Sequence, residues 1–216
     1  DLAGIPLHAK ERTEEHPIII AGGHACYNPE PMAPFIDAFV IGEGEEVIHE
    51  IIDSLQESKR LGLNRSQTIN LLKSIPGIYL PAFYTPAYND DHTLTSLTPV
   101  SPEYPAVITK RLCGTLPPPP THFLVPSIDV VHNRVAMEIM RGCTRGCRFC
   151  HAGMVNRPVR ERTLTDIVNA IEEALKNTGY EEIALLSLSS SDYTQIGKLV
   201  DEITSRFSGK NLTISL

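Results

Sequence analysis

The chain has 216 residues, 42% apolar and 21% charged, and a formal net charge of −7, which suits an ordinary globular protein of one large or two small domains. No apolar run approaches the roughly 18–20 residues of a membrane-spanning helix, and 26 acidic against 19 basic residues argue against a general nucleic-acid coat. A local basic patch at Arg141, Arg145, Arg148, Arg157, Arg160 and Arg162 still leaves RNA open as a substrate.

The first sixty residues alternate strand and helix signals. His16-Pro17-Ile18-Ile19-Ile20-Ala21 predicts a short buried strand that ends in the turn Gly22-Gly23. Asn28-Pro29-Glu30-Pro31 starts a short helix through Ala33–Asp37, with proline in the first turn and a carboxylate near the positive end of the helix dipole. Ala38–Ile41 is a second buried strand, closed by Gly42-Glu43-Gly44-Glu45. From Glu46 to about Ser58 the spacing of Val47, Ile48, Ile51, Ile52 and Leu55 predicts an amphipathic helix. Strand–helix–strand–helix order implies parallel strands in part of a doubly wound α/β sheet over residues 1–60.

Residues 61–134 read as a Pro-rich linker with an embedded hairpin. Ser66 would cap a short helix through Leu72. Eleven of the 17 prolines then fall between Pro76 and Pro126, a density that removes ladder donors and stops helices. Ile78–Leu80 and Leu94–Leu97 are the expected hairpin arms, turning at Asn89-Asp90-Asp91. Pro117–Pro120 predicts a stiff polyproline spacer.

The alternation returns over residues 135–216. Val135–Met140 is a strand, Gly142–Pro158 a cysteine-rich loop, and Thr163 or Thr165 caps a helix ending at Gly179. Ile183–Leu188 is a second strand, Ser189-Ser190-Ser191-Asp192 a turn, Tyr193–Phe207 a second helix and Leu212–Leu216 a third strand. That order is the opening of a parallel α/β (TIM-like) barrel.

Five cysteines, three of them in Arg141-Gly142-Cys143-Thr144-Arg145-Gly146-Cys147-Arg148-Phe149-Cys150, do not form the even, spread set of a disulfide scaffold. With no signal-peptide pattern at the N-terminus, a reducing, cytoplasmic setting is expected. The spacing lets one tight loop aim three sulfurs inward, with Gly142 and Gly146 supplying unusual backbone angles. Cubane iron–sulfur clusters normally take four thiolates, so three leave one iron open to a substrate or cofactor, as in open catalytic metal sites. Neighbouring arginines offset the negative charge of thiolates and sulfides. Two other readings remain at this point. Cys143, Cys147 and Cys150 with His151 make an accepted zinc ligand set, and Cys26 or Cys113 as a fourth ligand would close either a zinc site or an electron-transfer cluster.

Cys143, Cys147, Phe149 and Cys150, placed directly after a first barrel strand, resemble the signature of the radical S-adenosylmethionine (SAM) superfamily. The longer run Met137–Thr163, with Asn156-Arg157-Pro158-Val159-Arg160-Glu161-Arg162, is similar to an uncharacterised bacterial branch with a cobalamin-binding-like domain before the barrel. The resemblance implies that Cys143, Cys147 and Cys150 ligate a [4Fe–4S] cluster whose free iron chelates SAM. It further implies reductive cleavage of SAM to a 5′-deoxyadenosyl radical and a reductant such as flavodoxin or ferredoxin. Phe149 would pack near the adenine, and Ser189, Ser190, Ser191 and Asp192 would stand where the family carries a Gly-Gly-Glu turn for the amino group of SAM. Gly22, Gly23, Gly42, Glu43 and Gly44 would be where cobalamin approaches, although the family's Asp-x-His-x-x-Gly cobalt motif does not occur; tight turns without a ligand are the alternative.

The resemblance also implies a methyltransferase, a methylthiotransferase or another modifier of RNA, protein or a small molecule, with the substrate unassigned. A start at Asp1 instead of Met and only three barrel strands suggest a fragment, by itself incompetent in catalysis and prone to self-association through open sheet edges. The competing function is a metal-stabilised binding or electron-transfer module without radical chemistry.

Overall fold

The computed structural model describes residues 2–128 and 130–216, and the chain divides into two units, Asp1–Gly114 and Thr115–Leu216.

In the first unit, β1 (Ile20–Ala21) and β2 (Ala38–Val40) pair in parallel, with Ile20 opposite Ala38 and Ala21 opposite Phe39. Every residue from Ala38 to Ile41 is buried, which is why this strand reads as an unbroken apolar run and does not alternate. A 3₁₀ turn over Glu30–Met32 stands where a short helix was expected. Helix α1 (Val47–Leu61) buries Val47 and Ile51 and stops at Gly62, whose backbone is left-handed. Ile48 and Ile52, read from sequence as part of the inward face, are 47% and 43% exposed, because a stripe centred on Val47 and Ile51 leaves their neighbours about 100° further round the helix. Helix α2 (Arg65–Leu71) is capped by Asn64, not Ser66: the Gln67 amide donates to Asn64 Oδ1 at 2.9 Å, and the Asn64 amide donates back to Gln67 Oε1 at 3.0 Å.

Strand β3 (Ile78–Tyr79) joins the other side of β2 and runs antiparallel to it. The hairpin then uses β4 (Tyr84–Tyr88) and β5 (Leu94–Pro99), not Ile78–Leu80, as its arms. Its turn lies where expected, held by Asp91, whose carboxylate accepts from the Thr93 amide and hydroxyl. Tyr79, Tyr84 and Tyr104 are buried against Phe39 and Ile41, and the Phe83 and Tyr104 rings stack with centroids 4.5 Å apart. The Pro-rich segment thus forms the cover of an aromatic core.

A buried ion network ties the N-terminal segment to this sheet. Asp37, its side chain 4% exposed, accepts from Arg12 Nη1 and Arg65 Nη2, each at 2.8 Å, and from the Ile19 amide at 2.7 Å. Buried charge on this scale is tolerated only when each group is paired.

The second unit holds three parallel strands, with β9 (Glu182–Leu186) in the middle between β6 (Val135–Glu138) and β10 (Thr213–Ser215). Strand β6 (Val135–Glu138) leads through β7 (Met140–Arg141) to the cysteine loop, which contains the short helix α3 (His151–Val155) and returns along β8 (Arg160–Glu161), antiparallel to β7. Helix α4 (Leu164–Thr178) begins at Thr163, whose hydroxyl accepts from the Asp166 amide, and ends at left-handed Gly179. Strand β9 (Glu182–Leu186), helix α5 (Ile196–Arg206) and strand β10 (Thr213–Ser215) complete two βα crossovers. Val135, Met137, Ile139, Ile183 and Leu185 pack with Ile167, Ile171, Leu199 and Ile203 into one core, so α4 and α5 cover the same sheet face. The other face carries Ala136, Glu138, Ala184 and Leu186, Leu186 being 55% exposed. Pro117 and Thr121 are fastened to this unit: Arg162 donates to the Pro117 carbonyl, and Asn177 to the Thr121 carbonyl at 3.0 Å.

Candidate metal centre

The three loop cysteines leave the sheet at one end of β6. The Ile139 amide still bonds the Leu186 carbonyl at 3.0 Å, so the parallel ladder continues to the last residue before β7. The loop then doubles back on itself. Gly142 has φ +92°, and a Cβ there would lie 2.7 Å from the carbonyl oxygens of both Asn156 and Pro158; only glycine permits this closure. Cys143 is buried, Cys150 half-buried and Cys147 exposed.

Two of the sulfurs receive backbone donors. The Arg145 amide points at Cys143 Sγ at 3.4 Å, and the Gly153 amide points at Cys150 Sγ at 3.3 Å, which makes Cys150 the cap of α3. Such donors stabilise electron-rich sulfur. Arg157 Nε donates to the Cys143 carbonyl at 3.4 Å. The positive charge around the cysteines is therefore partly built into the loop's own closure.

Among the described residues, the one set of three metal-type ligand atoms mutually within 4.8 Å is Glu43, Glu45 and Cys113 in the first unit. The loop itself offers three thiols from one short stretch, Cys143, Cys147 and Cys150, one fewer than the four thiolates that a cubane iron–sulfur cluster normally takes.

The turn after β9 places the other expected residues. Ser189 donates its hydroxyl to Asp192 Oδ2 at 2.7 Å, Ser190 donates to the Leu185 carbonyl at 3.0 Å, and Ser191 is exposed. Asp192 is gripped by Arg145, whose Nε donates to Oδ2 at 2.5 Å while Nη2 donates to Oδ1. The Arg145 bond, followed by the Ser189 hydroxyl, holds the Asp192 carboxyl below its ordinary range. Phe149 is 92% exposed, so its ring is available to a ligand and is not part of the core.

In the first unit, Gly22 packs against Val40, while a Cβ at Gly23 or Gly44 would meet nothing within 4 Å. Gly42 differs: Arg111 forms a parallel bridge to it, and a Cβ on Gly42 would fall 2.2 Å from the Arg111 carbonyl oxygen. The Glu43 carboxylate accepts from the Cys113 amide at 2.6 Å, and the Cys113 thiol faces Glu45 Oε2 at 3.6 Å. Burial, followed by the charges of Glu45, Glu43 and Glu46, pushes this thiol up to about 11. A strap through Arg111–Cys113 therefore occupies the approach over Gly42 and Glu43, and among the cobalamin-type positions Gly23 and Gly44 keep open space. A cavity of about 830 Å³ in the same unit, lined by Lys10, Arg12, Asp37, Arg65, Phe83 and Tyr84 among others, had no motif in the sequence; its lining is scattered over nearly eighty positions.

Residues 137–216 match the model of the radical SAM superfamily, and residues 1–81 match that of the N-terminal region of radical SAM proteins. The chain belongs to the radical SAM superfamily. An uncharacterised protein of Methanocaldococcus jannaschii is 27% identical over 185 residues, covering 84% of this chain and 34% of that protein. The chain thus spans about a third of the length of this curated relative. Two solved structures of the radical SAM methyltransferase TsrM from Kitasatospora setae are also similar. One, with cobalamin and a [4Fe–4S] cluster bound, is 18% identical at a TM-score of 0.47 and covers 90% of this chain and 36% of its own. The other, with tryptophan substrate and the SAM analogue aza-SAM, is 16% identical at a TM-score of 0.48 and covers 90% and 35%. No helix among the described residues is long and apolar enough to cross a membrane.

Proposed function

We propose that this chain is the cluster-bearing part of a radical SAM iron–sulfur enzyme, with Cys143, Cys147 and Cys150 as the protein ligands of a [4Fe–4S] cluster. The observation that carries this reading is the loop itself: three thiols at one end of strand β6, two of them with backbone N–H donors. When bound, the cluster and SAM supply one-electron cleavage of the sulfonium to methionine and a 5′-deoxyadenosyl radical. The chain's own residues bind and orient. Cys143 holds its sulfur in the buried part of the loop, Cys147 and the Phe149 ring face the open side, and the Ser189–Asp192 turn closes the site from β9. A low-potential one-electron donor is the partner this chemistry requires. Cobalamin, for which Gly23 and Gly44 leave room, is proposed as a second cofactor, and methyl or methylthio transfer as the reaction class.

Anaerobic reconstitution tests the reading. About four irons per chain are expected, with a paramagnetic spectrum that changes when SAM is added and iron uptake lost on Cys143→Ser. Zinc retained without iron uptake would select a structural metal module, and a cluster indifferent to SAM would select an electron-transfer domain. Either result overturns the proposal. Product analysis with SAM labelled in its methyl group separates methyl transfer from other outcomes.

A further inference from the structure

The turn after β9 is fixed from several sides. Thr194 donates its amide (2.8 Å) and hydroxyl (2.5 Å) to Glu161 of β8, Tyr193 donates its hydroxyl to the Arg162 carbonyl at 2.9 Å from a buried position, and Ser189 donates to Asp192. The cysteine loop opposite is exposed from Thr144 to Phe149. Arg145 spans the two: its guanidinium grips both oxygens of Asp192, and its backbone amide points at Cys143 Sγ. A planar guanidinium held at two points restricts the orientation of the residue that bears it more than a single contact would.

We propose that Arg145 is a positioning residue of the cysteine loop, anchored on Asp192 so that its backbone N–H stays on the Cys143 sulfur. The proposal rests on the reading of this loop as a cluster site. It reverses the role that family resemblance gives Asp192: with both oxygens engaged by Arg145, this carboxylate serves the loop and is not a free acceptor for the ammonium group of a ligand. An amide aimed at a ligating sulfur stabilises the more electron-rich state of a cluster, so losing the anchor lowers the cluster's reduction potential.

The test uses the full chain and two readouts. In cluster-free protein, hydrogen exchange at the residue-145 amide is followed by NMR as a protection factor. Arg145→Gln and Asp192→Asn each lower it by about two- to fivefold, the range expected for a partly exposed ion pair. The double substitution Arg145→Glu with Asp192→Arg, which reverses the pair's polarity, restores it. In reconstituted protein, the midpoint potential shifts negative in both single variants and recovers in the double one. A merely structural role would not return the potential on charge reversal. Unchanged protection in Asp192→Asn overturns the proposal. So does loss of the SAM-induced spectral change in Asp192→Asn alone, which would make Asp192 a direct ligand. If the unsubstituted chain takes up no iron, the functional reading fails, while the exchange measurement still decides whether the pair holds the loop.

Discussion

Replacing Gly142 with alanine gives the sharpest test of how the cysteine loop is closed. At φ +92° any L-residue is strained, by about 1–2 kcal/mol in left-handed conformations. The added methyl would also fall 2.7 Å from two carbonyl oxygens, of Asn156 and Pro158, and 3.0 Å from the Val159 Cα. All three are backbone atoms, so relief requires the returning arm of the loop to move; overpacking of that kind costs about 1–3 kcal/mol. The sum, about 2–5 kcal/mol, rivals the margin of an entire small domain. The nearby Gly146 is a matched control, with φ +65° but its nearest neighbour the far end of the Arg157 side chain at 3.4 Å, not backbone; Gly146→Ala carries only the left-handed cost, about 1–2 kcal/mol. The assay pairs thermal melting with iron content after anaerobic reconstitution. Gly142→Ala should lower the melting temperature by roughly 10 °C or more and lose most of its iron, with Gly146→Ala in between. Equal behaviour of the two variants, or full iron uptake by Gly142→Ala, would refute the view that the loop closes against the backbone at Gly142.

Two further outcomes follow from the first unit. Asp37→Ala strands the buried guanidinium groups of Arg12 and Arg65 and should cost about 3–5 kcal/mol in urea unfolding, whereas Glu57→Ala, on an exposed pair with Arg60, should change little. Because the Cys113 thiol is raised to about 11 in the folded chain against an ordinary value near 9, its contribution is fully present below pH 9 and is lost as pH rises toward 11. Urea midpoints measured at pH 8 and pH 10.5 should therefore fall more in the natural chain than in Cys113→Ala; parallel curves would refute this.

The spacing of Cys143, Cys147 and Cys150, the caps at Thr163 and Gly179, and the apolar runs of β2, β6 and β9 could all be read locally, because each depends on residues a few positions apart; the end of α1 at Gly62, four residues beyond the expected Ser58, came from the structure. Thus the cysteine loop and the βα order of residues 135–216 were legible before any coordinates. The sequence alone could not say that β3 runs antiparallel, that the Pro-rich segment becomes an aromatic cover, or that Arg111 lies over Gly42. These depend on partners 20 to 70 positions away, whose meeting is decided by which surfaces must be buried together. The same holds for Asp192. As a sequence position it matched a ligand-binding turn, but the fold delivers Arg145 to it across 47 residues, and an ion pair of that separation exists only once β6 and β9 lie side by side.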